Sequence, residues 1–265
     1  MTAYHGGKQR IGKELASRIV DETMDIVGEG EFEIKGYCEP FCGMLGVYQH
    51  IPELFEEEGL KLKYKAGDTN KSVIMMWNEA KKGWKPPMHV TEREFNTLKI
   101  SKDSALKGYA GHQYSFGGQY FQGYAPKYGK ILKNSQTVVD KISNIGSKMD
   151  NSNTAFSHGS YTQYSKLKHY IIYCDPPYSN SKKHYTSNEA GDMSQKFDDE
   201  KFFNWCRLMA EDNIVFVSSY NAPEDFEEIF SISRKITGIT PSLLKKKKTQ
   251  KNRLRTEKLY ILFPP

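Results

Sequence analysis

The stretch Tyr170-Ile171-Ile172-Tyr173-Cys174-Asp175-Pro176-Pro177-Tyr178 constrains this chain more than any other. Its first five residues are β-branched, aromatic and apolar without a break, the pattern of a buried strand. Two successive prolines then fix two φ angles and remove two backbone donors, so the strand must stop and turn. The carbonyls at the turn stay free to accept, and Asp175 and Tyr178 are held stiffly at the strand's carboxyl end. In open α/β sheets that end is where ligands bind. A rigid acceptor beside an aromatic face suits a flat base with an exocyclic amino group. An ordinary strand-to-loop turn explains the same residues more plainly.

The rest of the chain supplies partners for such a strand. Tyr4-His5-Gly6-Gly7-Lys8 precedes a helical pattern with Ile11, Leu15 and Ile19 on one face. A glycine turn opening a helix presents backbone N–H groups, and Lys8 can meet a carboxylate or phosphate there. A strand is expected at 34–38, a turn at 40–43 and a helix at 45–50, with no G-x-G-x-x-G in the turn. A second strand at 62–66 runs into Gly67-Asp68-Thr69-Asn70. An acid at that tip suits ribose hydroxyls; otherwise Asp68, Thr69 or Asn70 caps the helix expected over 71–82.

From 86 to 168 the strand patterns fade. Tyr109, Tyr114, Phe116, Tyr120, Phe121, Tyr124 and Tyr128 alternate there with Lys107, His112, Gln113, Gln119 and Lys127. Aromatics beside basic and amide groups can stack on bases and bond their edges, or they pack as a glycine-rich loop on its own core. A helix is expected over 133–145, and a loop or hairpin over 147–160. Further on, the patterns predict a helix at 199–212, a strand at 214–218 and a short helix near 223–230. Two last strands, at 232–237 and 258–263, form an antiparallel hairpin on the sheet's edge.

Composition narrows the class. Among 265 residues, 38% are apolar, and no apolar run nears the roughly 18–20 residues a membrane span needs. The first ten residues lack an apolar segment, so an intracellular protein is expected. Cys38, Cys42, Cys174 and Cys206 form no C-x-x-C pair, and the seven histidines form no H-x-x-x-H pattern. Neither disulfides nor a metal is indicated. The net charge of +6 is uneven: Lys245 to Arg255 holds seven basic residues in eleven and no acid. Such a run either contacts phosphates or solubilises a loop.

The pieces matter most in their order: Gly6-Gly7-Lys8, then Glu39-Pro40-Phe41-x-Gly43, then an acid closing the second strand. The aromatic insert, Asp175-Pro176-Pro177-Tyr178 and a hairpin ending in Arg255-Thr256-Glu257-Lys258-Leu259-Tyr260 follow. In this order they resemble the Dam-type family of adenine-specific DNA methyltransferases. The family usually has a second glycine two residues after Gly43, where this chain has Leu45.

The resemblance implies an α/β fold, a Rossmann-like S-adenosylmethionine-dependent methyltransferase sheet with a terminal antiparallel hairpin. Residues 1–85 and 169–265 would form the catalytic domain and 86–168 an inserted target-recognition subdomain. It further implies methyl transfer from S-adenosylmethionine to the N6 amino group of an adenine flipped out of double-stranded DNA. The cofactor residues would be Tyr4, Gly7, Lys8, Glu39, Phe41, Gly43, Asp68 and Asp175. Asp68 would take the ribose hydroxyls and Lys8 the methionine end. Asp175, Pro176, Pro177 and Tyr178 would carry the chemistry, with Asp175 and the Pro176 carbonyl accepting the amino hydrogens and Tyr178 stacking on the base. Tyr114, Gln119, Tyr120, Lys127, Lys246, Lys247 and Arg253 would contact DNA. No metal or membrane enters, and a cognate restriction endonuclease is a compatible partner. Rival readings are methylation of RNA adenine or another amino nitrogen, and a non-catalytic DNA-binding homologue. Related enzymes that modify cytosine or glutamine carry Ser or Asn at the Asp175 position, so Asp175 favours adenine.

Overall fold

Alternation along the strands sorts the core into two layers, because successive side chains of a strand point to opposite faces. In the computed structural model, β4 (Tyr170–Cys174) sends Ile171 and Tyr173 into one apolar cluster, and Tyr170, Ile172 and Cys174 into another. The strand β5 (Ile214–Ser219) divides likewise, Ile214 and Phe216 against Val215 and Val217. Both strands are apolar on both faces because the sheet is covered on both faces. The structure describes residues 3–4, 6–28, 32–128, 135–177, 197–235 and 254–264.

The first strands are β1 (Gly36–Glu39), β2 (Lys63–Asp68) and β3 (Ala155–His158), and the last are β6 (Glu227–Lys235) and β7 (Leu254–Leu262). They join β4 and β5 in one seven-stranded sheet of order β3-β2-β1-β4-β5-β7-β6. β3, β2, β1, β4 and β5 are mutually parallel neighbours, and β7 runs antiparallel to both β5 and β6. This is the expected Rossmann-like sheet with its end hairpin. Strand order reverses between β1 and β4, and the crevice at their carboxyl ends is the switch point where such sheets bind ligands.

The helices are α1 (Gly12–Gly28), α2 (Ile51–Glu57), α3 (Lys71–Lys81), α4 (Glu92–Ile100), α5 (Ala105–Gln113), α6 (Ser135–Asn151) and α7 (Asp199–Ala210). Helix α1 buries Leu15, Ala16, Ile19 and Val20, the stripe its periodicity predicts. Asn70 caps α3, its side chain accepting from the Val73 N–H at 3.2 Å. Thr91 and Glu94 form a reciprocal capping box on α4.

Three local expectations are corrected. The 147–160 segment is neither loop nor hairpin: α6 continues to Asn151 and β3 follows, pairing with β2 from Ala155 to His158. Its polar residues lie on the exposed side of α6, where Lys148 bonds Glu53 at 2.6 Å, while Met149 is buried. The short helix near 223–230 is absent, because the chain enters β6 at Glu227 and pairs with β7. A bulge between Glu228 and Phe230 and the 2.6 Å Lys258–Glu228 bond accommodate the charges that made this stretch look helical. After Gly43 the chain turns through Leu45 before a 3-10 turn at Tyr48–His50 leads into α2, so the helix expected at 45–50 starts later.

The segment 86–168 is also woven into the sheet layer. α6 packs on α3, β3 extends the sheet, and Val90, Phe95 and Tyr109 share the main apolar cluster.

Candidate active site

Three carboxylates stand at the carboxyl edge of the sheet: Glu39 ends β1, Asp68 ends β2, and Asp175 follows β4 directly. Parallel strands put these ends on one side. Between them opens a cavity of about 960 Å³, including space open to solvent, a size suited to a nucleoside-like ligand. Tyr4, Gly7, Lys8, Glu39, Phe41, Gly43, Asp68, Asp175, Pro176 and Pro177 all line it. Residues separated by more than 160 positions in the chain thus meet at one site, as Lys8 and Asp175 do.

The β1 loop forms the floor. Gly43 adopts φ +42, and a Cβ there would press on the Tyr4 ring at 2.8 Å. Its N–H donates to Asp68 Oδ2 at 2.9 Å, and its carbonyl accepts from the Trp77 indole at 2.9 Å. Asp68 Oδ1 accepts from the Asn70 N–H at 2.7 Å. The two readings of the second strand's tip therefore separate: Asn70 caps the helix, and Asp68 faces the cavity. Burial raises the Asp68 carboxyl above its ordinary value, and the backbone donors at Asn70 and Gly43 oppose that rise. Leu45, where the resemblance has glycine, takes φ +53. Such a conformation is strained for a residue with a Cβ, and full burial in the core holds it.

Lys8 is almost wholly buried, and its ammonium donates to Asp175 Oδ1 at 2.6 Å. Glu257 Oε1 lies 3.3 Å from the same nitrogen and the Gly6 carbonyl 3.4 Å. Burial alone would lower this group, but Asp175 and Glu257 together outweigh it and the net shift is upward. Burial holds Glu39 far above the usual carboxylate range, and the Tyr37 hydroxyl donates to its Oε2 at 3.2 Å. Cys42 and Cys174 are buried, and burial pushes both thiols well up, which suits core cysteines and not nucleophiles.

The opposite wall comes from α5 and the loop after it. His112, Gly118, Gln119 and Tyr120 line the cavity. His112 packs between Tyr4 and Tyr120, with ring centroids 4.6 and 4.9 Å away. Its Nδ1 lies 3.0 Å from the Gly118 carbonyl, so Nδ1 carries the proton and Nε2 is the lone-pair nitrogen. Burial lowers its pKa to about 4, keeping the ring neutral. Sequence reasoning grouped His112 with side chains that could bond base edges and gave Gly118 no role, because a lone histidine or glycine in an aromatic stretch carries no spacing signal for a cavity wall. Gln119 and Tyr120, expected at DNA, stand in this cavity wall. Tyr114, also expected at DNA, is buried with its hydroxyl on the Met88 carbonyl at 3.0 Å, a placement that leaves it no surface to present. Tyr178, Lys246, Lys247, Arg253 and the Lys127 side chain lie outside the described residues.

S-adenosylmethionine suits these residues. The Asp68 oxygens accept backbone N–H bonds, from Gly43 on Oδ2 and Asn70 on Oδ1, and keep lone-pair capacity for a ribose hydroxyl. Tyr4, Phe41 and Tyr120 give apolar walls, and Gly43 leaves room where a side chain would intrude. Among the described residues no group of His, Cys, Asp or Glu could hold a metal ion, and no helix is long and apolar enough to cross a membrane.

Sheet order and the cavity at its switch point define the class, a Rossmann-like α/β protein with a nucleoside-sized site at the carboxyl edge of the sheet. The model of the D12 class N6 adenine-specific DNA methyltransferases matches residues 119–242, from the cavity wall through Asp175 and beyond β6, in agreement with the Dam-type resemblance of the motifs. No curated protein sequence matches the chain. Among solved structures, the rRNA methyltransferase aviRa from Streptomyces viridochromogenes is similar over 94% of this chain and 84% of that one. The identity is 8% and the TM-score 0.39, too remote to carry an argument.

Proposed function

We propose that this protein methylates the N6 amino group of adenine in double-stranded DNA, using S-adenosylmethionine. The observation that carries the proposal is the Asp175-Pro176-Pro177 turn, which shares one cavity with Asp68 and is gripped by Lys8. When bound, the cofactor supplies an electrophilic methyl on a sulfonium. Tyr4, Gly7, Phe41, Gly43 and Asp68 would hold it.

The chain's own residues prepare the nucleophile. An adenine amino nitrogen is a poor nucleophile while its lone pair is delocalised into the ring. The Asp175 carboxylate and the Pro176 carbonyl are two acceptors on adjacent residues. By taking both N–H bonds they would draw the lone pair out of conjugation with the ring and aim it at the methyl. Pro177 stiffens the turn so that the geometry is set before the substrate arrives. The base must leave the helix to reach this turn, at a cost of a few kcal/mol, and Tyr178 would stack on it. As N–C forms and the cofactor's S–C bond breaks to leave a neutral thioether, positive charge would build on the nitrogen beside Asp175, which would stabilise it before a proton is lost to solvent. The DNA phosphates would be met by Lys127, Lys246, Lys247 and Arg253.

Methylation mapping of duplex DNA incubated with wild type and with Asp175→Ala tests this. Adenine methylation in one short motif is expected for wild type, and a loss of at least ~10³-fold for the variant. Modified cytosine, transfer to RNA alone, or activity surviving in Asp175→Ala would overturn the assignment.

A further inference from the structure

We infer that Glu257 is a positioning residue for methyl transfer, acting on Asp175 through Lys8; this rests on the function proposed above. The topology explains how a residue of the last strand reaches the site. β7 runs antiparallel to β5, pairing Ser219 with Lys258. The start of β7 therefore lies at the carboxyl end of β5, on the edge where Asp175 follows β4. Alternation sets the direction: Glu257 shares its face with Leu259 and Ile261, whose side chains join the same cluster as those of α1. Lys8, just before α1, lies on that side. Glu257 Oε1 comes to 3.3 Å from Lys8 Nζ without lining the cavity itself. Lys8 bridges it to Asp175.

The chemistry gives this contact two effects. An ammonium has three N–H directions, and Gly6, Asp175 and Glu257 each offer Lys8 an acceptor. Glu257 thereby helps to orient the N–H that meets Asp175 and, through it, the carboxylate. The second effect is charge. Glu257 adds a second carboxylate beside the Lys8–Asp175 pair. In methyl transfer positive charge would pass from the cofactor's sulfonium to the amino nitrogen beside Asp175. The added negative charge of Glu257 favours that displaced charge.

The test uses the full-length protein and the isosteric substitution Glu257→Gln. One measurement needs no turnover: calorimetric binding of S-adenosylhomocysteine and of sinefungin, the analogue with an ammonium in place of the sulfonium methyl. Wild type is expected to prefer sinefungin. Glu257→Gln should reduce that preference about 10-fold and leave S-adenosylhomocysteine affinity within about threefold. In parallel, kcat on DNA should fall 10- to 100-fold with little change in KM for S-adenosylmethionine. An unchanged binding ratio, or a kcat within twofold of wild type, overturns the inference. Equal losses of both affinities together with a lowered Tm assign Glu257 a purely structural part and overturn it too. If Glu257→Gln does not fold, Glu257→Asp, which keeps the charge, must retain the sinefungin preference. Wild type without methyl transfer to DNA would sink the proposed function instead, and the binding ratio would still decide whether Glu257 acts on the Asp175 cluster.

Discussion

At the residue scale, the site concentrates carboxylates and then controls which of them are charged. Glu39 is buried deepest and ends β1 beneath the cavity, where burial outweighs the Tyr37 hydrogen bond and Asp175 and Asp68 add repulsion. Its folded pKa is raised above the unfolded value of 4.5. Between those two values the folded state binds the extra proton, so this group's contribution to stability is present at low pH and declines as pH rises above 4.5. Replacing Glu39 by Gln keeps an acceptor for the Tyr37 hydroxyl and removes the titration. The variant is expected to melt roughly 2–6 °C above wild type at pH 7.5, with the gap closing as the pH approaches 4.5; scanning calorimetry across that range checks it. Glu39 and Asp68 were both legible as acids closing strands, since a strand followed by glycine or proline is a short-range pattern. That Glu39 is held up by burial was not legible, because burial depends on what packs against the loop.

At the element scale, the cavity is a contact between β-strand ends and a helix from the middle of the chain. α5 lies on α3 so closely that Gly108 meets the Ser72 carbonyl, and a Cβ there would collide with backbone. α5 then carries His112 against Tyr4, so the docking of two helices sets one wall of the site. Gly108→Ala should force the helices apart, costing about 1–3 kcal/mol and lowering Tm. It should also weaken S-adenosylmethionine binding several-fold in calorimetry, although Gly108 lines no part of the cavity. The glycine and tyrosine content of 105–128 was visible in the sequence, but two uses fit it equally, base stacking and internal packing. The structure divides the segment: Tyr114 and Tyr109 enter the core, while Gln119 and Tyr120 face the cavity. The strand β6 was half-hidden for a related reason. Glu227 and Glu228 favour a helix locally, and only pairing with β7 makes them an edge strand.

At the scale of the whole molecule, a net charge of +6 concentrated in the Lys245–Arg255 run suits a polyanionic substrate. Replacing Lys246, Lys247 and Arg253 together by Ala should weaken duplex binding to about the same degree for any sequence. The slope of log K against log salt should shrink by about 3. Titrations by fluorescence anisotropy between 50 and 200 mM salt read this directly; a slope unchanged within error would assign the run to solubility alone.

The sequence by itself determined strand-and-turn units near 34–43, 62–70 and 170–177, the helices α1, α3 and α7, and the order of motifs on which the family resemblance rests. Each of these depends on neighbours in the chain, through side-chain period, proline and glycine geometry, or capping. Tertiary structure alone decided that α6 packs on α3 and β3 joins the sheet, that Leu45 accepts a left-handed turn, that His112 walls the pocket, and that Glu257 meets Lys8. These depend on pairing register and burial between segments far apart, and no local pattern encodes a distant partner.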